Sequence, residues 1–333
     1  MNNFKKIGLT ALGTALVATS VSAGEMSVSG GASIAMQHVT DGAGANAGKK
    51  FQMGNQLTFT GGGTLDNGLD VSLSFIIDQG DNELDDATKA GSGPFDSHSV
   101  SIGNDTLGTL TFNGEGGDSA QNAMHSVVTG ELWDNDMGAT TPSESSAGDN
   151  TITYYNSSLY DGLTVGLSYS PRGSASSAGA TAKHASSTDW SVQYDGVEGL
   201  SVGYASGENT ATKGAQADVD SYFITYAYGP ITVGYGVTEY DSESTATNAD
   251  RDYSEYEIAY TLSDSISISY GVETLETPNS ASDVDQEVTG IKASYTAGGM
   301  TLGIAQVEAD NTGFASTATA DDEMWEVSAS FAF

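Results

Sequence analysis

The sequence predicts an all-β chain, a transmembrane antiparallel β-barrel of about 16 strands. Three observations carry this. The last strand, residues 322–333, places Trp325, Val327, Ala329, Phe331 and Phe333 on one face and Glu326, Ser328, Ser330 and Ala332 on the other. Successive side chains of a strand point to opposite sides, so one side is oily and the other small and polar. Segments with the same period of two recur along the chain, and their number is even, as a single-chain membrane barrel requires. The connections between them alternate strictly between short turns and long polar loops, which a β-sandwich has no reason to do.

Taken in order, residues 1–23 read as a leader removed on export. Lys5 and Lys6 form a basic start, 7–21 is a short run of apolar and small residues, and Val21-Ser22-Ala23 offers a cleavage site before Gly24. The run is too short and too rich in Thr, Gly and Ala to span as a helix. Residues 24–333 then form the barrel domain. With Lys5 and Lys6 gone, 44 acidic residues face 8 basic ones, a formal charge of −36. That surplus repels phosphates and argues against nucleic-acid binding. The absence of Cys excludes a disulfide framework and thiolate metal sites. Overall hydrophobicity is only 38%, but a barrel needs apolar residues at every second position alone.

The predicted strands are 25–39, 51–60, 69–78, 97–103, 107–113, 150–156, 162–170, 187–195, 199–206, 219–228, 231–240, 252–262, 265–274, 284–297, 300–308 and 322–333. The pairing signals are clearest in the second half. Tyr222, Ile224, Tyr226 and Tyr228 run into Gly229-Pro230, and Ile231, Val233, Tyr235 and Val237 come back. Short turns are expected near 61–68, 104–106, 157–161, 196–198, 229–230, 263–264 and 298–299. With both termini on the periplasmic side, Tyr194, Tyr228, Tyr260, Tyr295 and Phe333 fall near one rim. Tyr169, Trp190, Tyr222, Tyr240, Tyr256 and Trp325 fall near the other, giving two lipid-interface girdles.

The terminal aromatic strand, the even strand count and the sorted loops resemble the Gram-negative porin family, in its sixteen-stranded alphaproteobacterial form. The resemblance implies an outer-membrane channel for passive diffusion of small hydrophilic solutes, a homotrimer in outer-membrane lipid, and a Phe333 read by the barrel-assembly machinery. It also implies a long third external loop folded into the pore. The stretch 114–149 matches in position and length, and its residues 119–128 are expected to form one or two helical turns. Glu115, Asp118, Glu131, Asp134 and Asp136 would form the acidic side of that constriction. Lys292 is the basic residue well inside a strand. Ile291 and Ala293 beside it take the lipid side and turn Lys292 inward. A cluster of Arg opposite the acidic loop, common in general porins, is missing: only Arg172 and Arg251 occur, both near loop ends. The acidic surplus predicts a cation preference that weakens as salt rises.

No catalytic residues are expected. His38, His98, His125 and His184 are scattered, and no spacing selects a Ser or Asp partner for any of them. Nor is a cofactor expected, although Asp81/Glu83/Asp85/Asp86 and Asp321/Asp322/Glu323 gather oxygen ligands of the kind Ca²⁺ takes, about 6–8 at a time. The competing readings are a substrate-selective channel on the same fold and, from another class, a secreted acidic β-sandwich adhesin.

Overall fold

The computed structural model describes residues 25–40, 48–78, 95–124, 128–130, 132, 137–146, 150–171, 186–210, 216–246, 248–278, 284–317 and 320–333. The expected leader, 1–23, lies outside them. The first eight strands are β1 (Glu25–Val39), β2 (Gly48–Thr64), β3 (Asp70–Asp78), β4 (Phe95–Asn104), β5 (Gly108–Glu115), β6 (Thr151–Tyr160), β7 (Leu163–Ser170) and β8 (Ser187–Val197). The second eight are β9 (Leu200–Asn209), β10 (Ala217–Tyr228), β11 (Ile231–Ser242), β12 (Arg251–Ser263), β13 (Ile266–Glu276), β14 (Gln286–Ala297), β15 (Met300–Asp310) and β16 (Asp322–Ala332). Each pairs antiparallel with its sequence neighbours, and β1 pairs with β16 to close the barrel.

Closure is a physical requirement in lipid, where each unpaired backbone group costs several kcal/mol. The seam here runs in register from Gly31↔Ala332 to Val39↔Met324. It is finished by Gly30 N–H donating to the Phe333 carbonyl at 2.7 Å and Phe333 N–H donating to the Gly30 carbonyl at 3.0 Å. A Cβ at Gly30 would overlap the Phe333 ring, so the absence of a side chain there lets the terminal aromatic cover the seam.

Alternation decides the two surfaces. Along β10, Tyr222, Ile224, Tyr226 and Tyr228 are exposed on the outward side, while Val219, Ser221 and Phe223 are buried on the inward side. Along β12, Tyr256, Ile258 and Tyr260 point out and Tyr253, Glu255 and Glu257 point in. Ten to twelve residues at about 3.4 Å each, tilted by about 45°, cover the ~25 Å apolar band of an outer membrane.

Three local expectations are corrected. Gly61, Gly62 and Gly63, read as turn residues, are paired with Leu73, Ser72 and Val71 inside the β2–β3 ladder. The turn itself is confined to 65–69, where Gly68 takes φ 81°. The β6–β7 turn is Asp161-Gly162, not 157–161, because β6 continues to Tyr160 through a bulge after Asn156. Among its described residues, 119–128 forms one turn of helical hydrogen bonding (Ala123 N–H to the Ser119 carbonyl, 3.2 Å), not two, and it does not continue into a helix. Its polar side chains compete with a helical ladder: Ser119 bonds to Ser145 and Asn122 to Asp118 within the loop, and Gln121 to Ser221 on the wall.

Candidate functional site

The long β5–β6 connection is the feature that makes the interior more than a polar tube. Its first described part meets β7 and β10. Ala120 N–H donates to Ser168 Oγ at 2.8 Å, and Ser168 Oγ donates on to the Asp189 carboxylate at 2.7 Å. Gln121 donates from Nε2 to Ser221 Oγ at 2.6 Å and accepts Ser145 N–H at 2.8 Å, so it ties the outgoing and returning limbs to one wall residue.

Its middle part meets β12–β14. The Glu257 carboxylate accepts Thr129 N–H at 2.8 Å, Val128 N–H at 3.2 Å and the Thr129 hydroxyl. Glu273 accepts Leu132 N–H at 2.6 Å. Lys292 Nζ donates to the carbonyls of Thr129 and Gly130 at 3.2 and 3.3 Å. Carboxylates thus hold the amides of this segment and an ammonium holds its carbonyls. Hydrogen bonds with one ionised partner are about twice as strong as neutral ones. Leu132, fully buried, fits over two glycines of the wall. A Cβ at Gly290 would lie 2.6 Å from Leu132 Cδ2, and one at Gly271 would lie 3.2 Å from Leu132 Cδ1 and 2.9 Å from Thr129 Oγ1.

Further on, Leu132, Met137 and Ala139 form a buried cluster with Val39, Val288, Val307, Ala309 and Met324. Those five wall residues occupy inward positions of β1 and β14–β16. There the inner wall is apolar because loop, not water, lies against it. Gln286 clamps the next residue, accepting Thr140 N–H at 2.7 Å and donating to the Thr140 carbonyl at 2.9 Å. Arg251 Nη1 donates to Ser143 Oγ at 3.1 Å, and Ser146 then hydrogen-bonds to the end of β9. The closed strand order sets β4 eight strands from β12, on the facing side of the barrel.

The expected constriction residues separate. Lys292 points inward and grips the loop backbone. Asp118 accepts Ser119 N–H at 2.9 Å and Asn122 Nδ2–H at 2.7 Å, capping the turn at the loop's start. Glu115 is exposed at the end of β5, opposite His98 at a bulge. Glu131, Asp134 and Asp136 lie outside the described residues. Ten of the eleven expected interface aromatics occupy outward positions. Tyr169, Trp190, Tyr222, Tyr228, Tyr256, Tyr260, Tyr295 and Phe333 are exposed, Tyr194 and Trp325 half-buried. Tyr240 is corrected: it pairs with the inward Val219 and Arg251 and so faces the interior, out of phase with Tyr235 and Val237. His38, 5.7 Å from the Trp325 ring, and His98 share that outward phase; His125 and His184 lie outside the described residues.

Of the acidic groups considered for Ca²⁺, Asp81/Glu83/Asp85/Asp86 lie outside the described residues. In the other, Asp321 accepts Asn311 N–H, Glu323 accepts Gln306 Nε2–H, and Asp322 between them turns to the inward side. Among the described residues no three His, Cys, Asp or Glu side chains converge as a metal site. Sequence reasoning missed Glu273, Gln121 and Gln286 and gave Glu257 no role. The available signal was phase: Val39, Val288, Val307 and Met324 are apolar residues in inward positions, and they mark the strip the loop covers.

On the facing side the wall is different. Inward positions of β2–β6 carry Gln52, Gln56, Thr58, Ser99, Ser101 and Thr111, with Ser101 and Thr111 hydrogen-bonded at 2.9 Å, and two charged residues, Lys50 and Asp78, at the loop end of β2 and β3. Toward the short turns this wall opens into a recess of about 350 Å³.

A closed barrel with an apolar outer surface, a polar inner surface and a loop fastened to one side of its interior defines a membrane channel that crosses with strands. Among the described residues no helix is long and apolar enough to cross. The family model described as Gram-negative porin matches residues 8–287, and the chain belongs to that family. It is accordingly an outer-membrane protein and a channel for small solutes. Solved structures with the same fold include an engineered variant of the Rh. blastica porin, at 15% identity and TM-score 0.68, covering 93% of this chain and 100% of that one. An anion-selective porin from Comamonas acidovorans matches at 15% identity and TM-score 0.65, again over 93% and 100%. OmpF of Salmonella typhi, solved with daunomycin, matches at 14% identity and TM-score 0.70 over 92% and 97%. No curated protein matches the sequence.

Proposed function

We propose that the chain forms a water-filled passage for the passive diffusion of small hydrophilic solutes and ions, and that the β5–β6 connection narrows it from the β7–β16 side. The observation that carries this reading is the triple fastening of residues 128–132 by Glu257, Glu273 and Lys292. It holds the loop to one side and leaves the passage along β2–β6. The working unit is a homotrimer in outer-membrane lipid, and Phe333, exposed at the seam, is the feature the assembly machinery reads.

The passage prefers cations. Acidic residues outnumber basic ones 44 to 10 over the whole chain, and a negatively lined aqueous passage concentrates counter-ions. Screening over about 8 Å at physiological salt keeps the preference modest and lowers it as salt rises. The zero-current potential across a KCl gradient tests this. Neutral substitutions at Glu131, Asp134 and Asp136 should lower the K⁺ preference more than equal changes at Asp310 and Asp321. A potential of the sign for anion preference would refute it.

A further inference from the structure

The recess on the β2–β6 wall has a chemistry of its own. It is lined by Asp70, Ser72, Ser101, Asp105, Thr109 and Tyr155, among others, and measures about 350 Å³. Binding pockets begin at about 300 Å³, and a mono- or disaccharide is a ligand of that scale. Hydroxyls of Ser72, Ser101 and Thr109 can each donate and accept. Asp70, at one edge, accepts the Thr64 hydroxyl at 2.6 Å and keeps its other oxygen for a ligand. Asp105 stands exposed in the adjoining turn. The Tyr155 ring packs over Gly166, where a Cβ would come within 2.6 Å of Cε1. That packing fixes the ring on the inner wall as an apolar surface. Dispersed hydroxyls, carboxylates at the edge and one fixed aromatic suit a molecule covered in hydroxyls with an apolar C–H face. Two carboxylates disfavour an anion. The recess contains no His, and no three metal-ligating side chains converge among the described residues, so a cation would not be caged.

We propose that this recess is a binding subsite for neutral polyhydroxylated solutes, mono- or disaccharides, which pause there while crossing. The proposal rests on the passage reading above, and the two fail differently. The purified channel is reconstituted in a planar bilayer and sucrose is titrated against ionic current, with a polyethylene glycol of equal size as reference. Current reduction by sucrose should saturate, with half-effect on the order of 10 mM, while the glycol acts only in proportion to concentration. Asp70→Asn combined with Thr109→Val should raise the half-effect concentration at least about fivefold, the equivalent of one lost hydrogen bond. Asp105→Asn, in the turn and outside the ladder, should raise it as well without touching a strand. Sucrose acting linearly and no more than the glycol would overturn the subsite, as would unchanged half-effect concentrations in both variants. Saturation by a small organic cation and not by sucrose would assign the recess to cations and equally overturn it. A reconstituted protein that conducts no ions at all would instead overturn the passage reading.

Discussion

The two sides of the interior are built differently. The β12–β1 side carries carboxylates buried under the loop, an ammonium that grips it and an apolar strip; the β2–β6 side carries mostly hydroxyls and amides, with Lys50, Asp70 and Asp78 among them. The first is built like a protein core, the second like a solvated surface. The difference follows from what each side faces. Glu257 and Glu273 are each less than one-tenth exposed, and their oxygens are met by loop amides rather than left to water. A charge that points into a barrel is therefore not automatically a charge on the solute's path. Removing such a charge changes where the loop sits before it changes the field a solute feels.

This contrast can be pressed at several points. The largest effect is expected at Glu257→Ala. It strips three hydrogen bonds from residues 128 and 129; a hydrogen bond to a charged group is worth about 1.5–3 kcal/mol. The thermal midpoint of heat-modified gel migration should drop, and single-channel conductance and open-channel noise should rise together as the loop comes free. Gly290→Val is the next test. It leaves every charge in place but drives a side chain into Leu132, at a cost of about 1–3 kcal/mol for overpacking. Conductance should rise as for Glu257→Ala, with a fall in K⁺ preference no larger than the widening of the passage brings, since no charge is lost. A shift in selectivity without a change in conductance would mean that the covered side faces the passage after all. Thr111→Val on the open side should do least, about 0.5–1.5 kcal/mol for the bond to Ser101. Its conductance should be unchanged.

How much of this the chain reveals on its own depends on the range of the interactions. β10, β11 and β16 are legible because a period of two over ten residues is a local property, and their outward Tyr, Ile and Phe stand as alternation requires. The glycines at 61–63 mislead because Gly marks turns in most contexts, yet here they serve a ladder that packs closely on β3. Lys292 is legible as inward from Ile291 and Ala293, but not its task. Thr129, whose carbonyl it holds, is 163 positions away in the chain, and the Glu257–Thr129 bond spans 128. Loop docking is written in such distant pairs, and only the stray apolar residues of the inward phase hint at it locally.

The claim that the loop covers one side and leaves the other to solutes can be read directly, because the chain has no Cys of its own. Single cysteines are placed at Ser72 and Thr111 on the open side and at Val307 and Ala305 beneath the loop, and each channel is treated in the bilayer with a charged, water-soluble thiol reagent. Reaction rate follows access of the thiolate to the reagent. The account predicts fast modification with a stepwise fall in current at Ser72→Cys and Thr111→Cys, and none on the same timescale at Val307→Cys and Ala305→Cys. Equal rates at all four positions, or faster reaction beneath the loop, would contradict it.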